Sequence, residues 1–231
     1  MLKLLAFLAL ALSAYAQQTI FNVPSADVAV RGDWFYQHQT VARAWGGQKH
    51  WVQTNSFGYG VGHNIELDAS WYNVEPGAVG QSSPSVGLKY SLPLRKTDKL
   101  LPMRLVVGDM IEFRDRSANN LPDSPHEGNW LYAMLSADVP KTRTRITGGF
   151  TDGTSVLFGI RKFGALAGVE QPITDKWMFQ ADWFQGKHDL VYAIPGVVYK
   201  FSERWMLSLG YQIPNRDGSG FQGIVVELTR F

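Results

Sequence analysis

Chemistry at a protein site needs reactive side chains at workable spacing, and the five histidines are the first place to look for it. They are His38, His50, His63, His126 and His188, and none lies next to a serine in the short pairing that acyl transfer by a membrane-embedded hydrolase would use. His63-Asn64 and His188-Asp189 read as turn residues. No pair of histidines has the spacing of a zinc site, and the chain has no cysteine. The stretch "RDRSANNLPDSPHEGN" offers oxygen donors in Asp115, Asn119, Asn120, Asp123 and Glu127. Their spacing lacks the regular pattern of a Ca²⁺ loop, so it reads as a polar surface loop. No catalytic residue, metal or cofactor is expected.

The other reactive groups are charges set at two-residue intervals among apolar positions. They are Arg31, Asp33, Glu66, Asp68, Lys89, Arg104, Glu112, Arg145, Glu170, Asp182 and Lys200. Alternation of this kind belongs to strands with one wet and one dry face. In "KWMFQADWFQG", Trp177, Phe179, Ala181 and Trp183 share one face, and Met178, Gln180, Asp182 and Phe184 the other. "NIELDASWYN" and "RWMLSLGYQI" repeat the arrangement. Glu66 and Asp68 are two apart on one wet face, so their carboxylates point the same way, about 6–7 Å apart along the strand.

About twelve such runs have the length of a tilted membrane strand. They are Val28–Val41, His50–Val61, His63–Val74, Ser85–Leu94, Met103–Arg114, Trp130–Val139, Thr144–Thr151, Ser155–Pro172, Lys176–Gly186, Leu190–Phe201, Arg204–Ile213 and Gly220–Phe231. Every second connection is short, and those between are mostly longer or richer in loop residues. Short turns at one end and long loops at the other are the layout of an outer-membrane barrel. A secreted β-sandwich also alternates, but its outer faces would be dominated by charge. Here the dry faces carry aromatics near their ends, as a lipid-facing girdle does.

The rest of the composition agrees. "MLKLLAFLALALSAYA" has a basic start, an apolar stretch and a small-residue site, the form of a signal peptide spanning residues 1–16. The mature chain, 17–231, is then one transmembrane β-barrel domain. No later run could span a bilayer as a helix; the longest, Leu157 to Ile173, is broken by Arg161, Lys162 and Glu170. With 22 basic and 20 acidic residues, one of the former in the leader, no basic stripe for nucleic acid is expected.

The final run, "GIVVELTRF", ends on Phe231. With the leader and the twelve alternating runs, this resembles bacterial outer-membrane β-barrel proteins, whose last strand characteristically ends in Phe as an assembly signal. "FNVPSADV", "EQPITDKW" and "ADWFQGKH" are similar to uncharacterised outer-membrane proteins of environmental bacteria. The resemblance implies an outer-membrane location, outer-membrane lipid and the barrel-assembly machinery as partners, and recognition through Phe231. Two features depart from the scheme. Thr229 and Glu227, two and four residues before Phe231, are polar, so either a bulge shifts the face or Phe231 lies outside the ladder. Asp109 falls in the dry row Leu105, Val107, Ile111 and Phe113, so a bulge or register change is expected there.

The expected function is a narrow passive channel for small polar solutes or ions. A barrel without transport, structural or adhesive, is the alternative, and an enzyme acting on outer-membrane lipid comes third. The wet-face charges either brace the wall by pairing or form the constriction that selects solutes. Barrels of about eight strands fill with side chains and those of sixteen hold open water, so twelve implies a narrow or obstructed lumen.

Overall fold

The computed structural model describes residues 19–45, 50–72, 83–94, 101–113, 127–155, 163–186, 191–215 and 221–231. The proposed signal peptide, His126, His188 and residues 114–126 of the candidate Ca²⁺ loop lie outside these residues. Twelve antiparallel strands form a closed barrel. They are β1 (Trp34–Arg43), β2 (His50–Gly62), β3 (Ile65–Tyr72), β4 (Ser83–Leu94), β5 (Met103–Phe113) and β6 (Glu127–Val139), followed by β7 (Thr144–Gly153), β8 (Gly164–Pro172), β9 (Trp177–Phe184), β10 (Tyr192–Lys200), β11 (Trp205–Pro214) and β12 (Gly223–Arg230). Each strand pairs with its neighbours in sequence. β1 and β12 close the ring, with Tyr36 opposite Arg230 and Ala42 opposite Ile224.

Burial is inverted relative to a water-soluble domain. Small polar and charged side chains such as Ser70, Ser85, Thr147, Gln180 and Ser208 are buried inside the ring, while Leu67, Leu131, Phe150, Leu209 and Val226 stand outward and exposed. In β9, Trp177, Phe179 and Trp183 are exposed while Gln180, Asp182 and Phe184 are buried, as the alternation requires. Aromatics cap the outer apolar belt at both rims. Trp34 and Trp177 begin strands at the short-turn end, and Trp51, Trp71 and Trp183 stand near the loop end. A closed ring with an apolar exterior and aromatic rims is a transmembrane barrel. The tight β2–β3 turn at His63 and Asn64 has positive φ at both residues (54° and 61°), the geometry that matches the twist of a hairpin.

Two expectations are corrected, and a third is decided between its two alternatives. The first strand begins at Trp34, not Val28; residues 28–33 leave the wall and run into the lumen. β5 pairs without interruption from Met103 to Phe113, so there is no bulge at Asp109. Asp109 does stand on the outward row, where Asn129 Nδ2 donates to its Oδ1 at 3.0 Å. That bond offsets part of the cost of a carboxylate on the lipid side. β12 likewise pairs regularly on both sides through Arg230. Its outward row is Ile224, Val226, Leu228 and Arg230, with Arg230 stacked 3.6 Å above the Trp34 ring. Of the two alternatives at this end, the second holds. Phe231 lies beyond the ladder, and its N–H donates to the Arg204 carbonyl at 2.9 Å.

Because the outward face meets lipid, a charge at its centre should be costly. Leu209→Arg, halfway along β11, should lower the barrel's unfolding free energy in lipid by about 2–4 kcal/mol. Denaturant titration in vesicles checks this, with Leu209→Ile as the apolar control.

Candidate functional site: the lumen and the segment inside it

Residues 19–29 occupy the interior of the barrel, joined to β1 by the exposed turn 30–33. The segment enters from the short-turn end, where Gly32 N–H donates to the Gly60 carbonyl at 2.8 Å and Gly60 N–H to the Asp33 carbonyl at 3.0 Å. It then crosses to the far wall and folds on itself in a tight turn, with Ile20 N–H on the Val23 carbonyl at 2.7 Å. Ile20, Phe21, Val23, Ala26 and Ala29 are buried.

A peptide away from water must find partners for its backbone, and here wall side chains provide them. Asp182 Oδ2 accepts three consecutive N–H groups, from Phe21 (2.9 Å), Asn22 (2.6 Å) and Val23 (2.7 Å). Glu66 Oε2 accepts Ala29 N–H at 2.6 Å. The carbonyls of Ile20, Phe21 and Ala26 take hydrogen bonds from Gln180 (2.8 Å), Gln39 (2.9 Å) and Ser91 (2.9 Å). Thr19 Oγ1 accepts from Gln37 at 2.9 Å. Hydrogen bonds to an ionised acceptor are the stronger kind, so Asp182 is the principal anchor.

The segment's own charge is gripped as well. Asp27 is buried, and each of its carboxylate oxygens takes one guanidinium: Arg104 Nη1 at 2.8 Å and Arg145 Nη1 at 2.6 Å. Arg145 Nε also reaches Asp138 at 2.8 Å. On the adjoining strands β3 and β4, Glu66 and Lys89 form a fully buried ion pair of 2.6 Å, which orients the carboxylate that holds Ala29.

Glycines on the wet faces make room for this peptide. The Phe21 ring lies against the cross-strand pair Gly196 and Gly210, where an added Cβ would come within 2.5 Å and 2.8 Å of its tip. At Gly60 an added Cβ would strike the Val30 and Ala29 carbonyls at 2.2 and 2.3 Å. Around them Val106, Met110, Trp130, Tyr132, Met134, Leu166, Phe184, Ile194 and Val225 pack with Ile20, Phe21, Val23 and Ala26. The lumen therefore has an apolar layer beside its polar one.

The placement of the expected pore-lining residues follows. Glu66, Asp68, Lys89, Glu170 and Asp182 are buried on the inner wall, and Arg104, Glu112, Arg145 and Lys200 share the inward parity with partial exposure. Arg31 and Asp33 are a correction. They belong to the exposed turn that leads into the lumen, not to a wet strand face. The inner wall brings Glu66 to Lys89 and Arg104 to Arg145 through Asp27, while Glu112 stands near the loop end of β5, away from Arg104, and Lys200 at the end of β10. Sequence reasoning missed Asp27, Gln180, Gln39 and Ser91. The available signal was "FNVPSADV", which does not alternate, together with glycines falling on wet faces. His38 stands on the outer face between Asn55 Oδ1 (2.8 Å) and Thr40 Oγ1 (3.0 Å), with no serine at either nitrogen. Among the described residues no three His, Cys, Asp or Glu side chains are grouped to hold a metal.

No protein-family model matches the chain, and no curated protein matches its sequence. Solved structures do share its fold. The KdgM porin in complex with disordered oligogalacturonate is similar at 10% identity and a TM-score of 0.55, over 86% of this chain and 98% of that one. The Acinetobacter baumannii outer membrane protein Omp33 is similar at 10% identity and a TM-score of 0.51, over 86% and 97%. At such identities the likeness is one of fold.

If Asp182 anchors the segment, removing it should loosen residues 19–24 while leaving the wall paired. In the naturally cysteine-free chain, Asn22→Cys should react with a maleimide roughly 10- to 100-fold faster when Asp182→Ala is added, since charged hydrogen bonds contribute about 1.5–3 kcal/mol each. An unchanged labelling rate would show that the segment is held elsewhere.

Proposed function

We infer that the protein is a narrow passive channel of an outer membrane, for small polar solutes or ions, with residues 19–33 setting its constriction. One observation carries the reading: the lumen is obstructed by a tethered segment lying against a polar, charged wall. A wall built only for strength would fill a lumen of this size with its own large side chains. Here it also provides glycines, serines and carboxylates, and shares the filling with a peptide that is not part of the sheet. Solutes then pass beside the segment or when it shifts, and the wall charges bordering that path select among them. The fold shared with a protein described as a porin supports this reading.

Export by the leader 1–16, insertion by the barrel-assembly machinery with Phe231 as its recognition residue, and embedding in outer-membrane lipid complete the proposal. The density of hydrogen bonds on residues 19–29 favours the second reading, a closed barrel that stabilises the membrane without transport. An enzyme acting on lipid finds less support, because neither ring nitrogen of His38 on the outer wall meets a serine.

Planar-bilayer recordings separate the two leading readings. The wild type should give small unitary currents. Deleting residues 19–29, or combining Asp182→Ala with Gly210→Leu where folding needs the segment, should enlarge them several-fold, since conductance scales with open cross-section. A folded variant of either kind with no conductance above the bare bilayer would leave the structural barrel as the answer.

A further inference from the structure

Among the described residues, four buried side-chain oxygens have neither a hydrogen-bond partner nor a close counter-ion: Asp68 Oδ1, Glu170 Oε2, Gln180 Oε1 and Asp182 Oδ1. Glu66 Oε1 also lacks a well-aligned hydrogen bond but has the Lys89 ammonium 2.6 Å away as counter-ion. All of these atoms are acceptors, and among the described residues no buried side-chain donor is left over. The imbalance has a sign. An anion would need spare donors and finds none on these side chains, whereas a cation finds unpaired oxygens whose burial is otherwise costly.

Three of the four are contiguous. Glu170 faces Gln180 across the β8–β9 ladder, and Asp182 follows Gln180 by two residues on the same inward face. Side chains directly opposite are about 5 Å apart at Cβ, and those two along a strand about 7 Å. Each residue's other half is engaged. Gln180 Nε2 holds the Ile20 carbonyl, so its amide cannot flip without losing that bond. Asp182 Oδ2 holds the three N–H groups of residues 21–23. The nearest cation to Glu170 Oε2 is Arg145 Nη1 at 3.8 Å, too long for a hydrogen bond, and that guanidinium is already bound to Asp27 and Asp138. Two carboxylates and an amide oxygen form a hard, oxygen-only set. Their spread over two strands, with Arg145 nearby, suits a single positive charge that keeps part of its water better than a tightly chelated divalent ion.

We propose that Glu170, Gln180 and Asp182 form a lumenal binding site for a small monovalent cation. The proposal deepens the channel reading, on which its transport role rests, by naming the charge of the solute. An alkali ion and a primary ammonium share this chemistry, and the ammonium differs by donating hydrogen bonds.

Calorimetry on the refolded full chain tests the site, using KCl, NaCl and methylammonium chloride at ionic strength held constant with choline chloride. Saturable binding of K⁺, Na⁺ or methylammonium is expected, and the order among them identifies the natural class. Glu170→Gln, which keeps shape but removes charge, should weaken binding about tenfold, equivalent to about 1.4 kcal/mol. Gln180→Met should act in the same direction. Glu112→Gln makes the same charge change on another inward strand position and should leave affinity within about twofold. The site is wrong if none of the cations binds, or if Glu170→Gln and Glu112→Gln have equal effects. Reversal potentials in a KCl gradient give the separate readout on transport. Glu170-dependent binding without conductance overturns the channel and leaves the site, and chloride-selective conductance without cation binding does the reverse.

Discussion

Every backbone N–H and C=O removed from water must find a partner, and this protein meets that requirement twice. In the wall it is met by ring closure, because a strand edge facing lipid would leave a row of unpaired groups. β1 and β12, at opposite ends of the chain, therefore pair with each other. Inside the ring residues 19–29 have no sheet to join, and side chains take the place of a neighbouring strand. Asp182, Glu66, Gln180, Gln39 and Ser91 serve as its acceptors and donors. Most of the lumen's specific features follow from this second solution.

It changes what the wet-face charges do. Pairing as braces and selecting solutes are the two roles open to charges in a small lumen, and both usually concern the wall alone. Here the charges pair largely through the inserted segment. Arg104 and Arg145 meet at Asp27, and Lys89 steadies the carboxylate that holds Ala29. Breaking a buried pair by removing one partner leaves an uncompensated charge. The segment and the wall charges are thus mutually dependent, and a shift of residues 19–29 would alter the electrostatics of the path as well as its width.

Shape is divided in the same way. Phe21 rests on Gly196 and Gly210, and the Ala29–Val30 backbone on Gly60. Glycine in a strand usually weakens it, and its use where another backbone approaches closely is a recognised exception. A separate peptide adds its apolar mass to that of the wall side chains Trp130, Tyr132 and Phe184.

The barrel was legible in the sequence because a membrane strand obeys a local rule. Each residue of "KWMFQADWFQG" faces lipid or lumen by parity, so Gln180 and Asp182 could be set on the wet face without knowing their neighbours. Twelve runs with alternating short and long connections then imply an antiparallel ring. The same rule misled where it was followed past the sheet. Arg31 and Asp33 were extrapolated from β1 onto a strand face, whereas the chain leaves the wall before Trp34. A bulge or register change was expected at Asp109, and a bulge was one of two alternatives near Glu227, because apolar parity was taken as strict, whereas Asn129 accommodates the first and the ladder ends at Arg230 for the second. What only the tertiary structure decided is the contents of the lumen. Asp27 meets Arg104 and Arg145, and Phe21 meets Asp182, across separations of 77 to 161 residues. No local period encodes such contacts. They exist because closing the ring brings distant inward faces around one space, and a peptide within that space must satisfy its backbone with whatever those faces present.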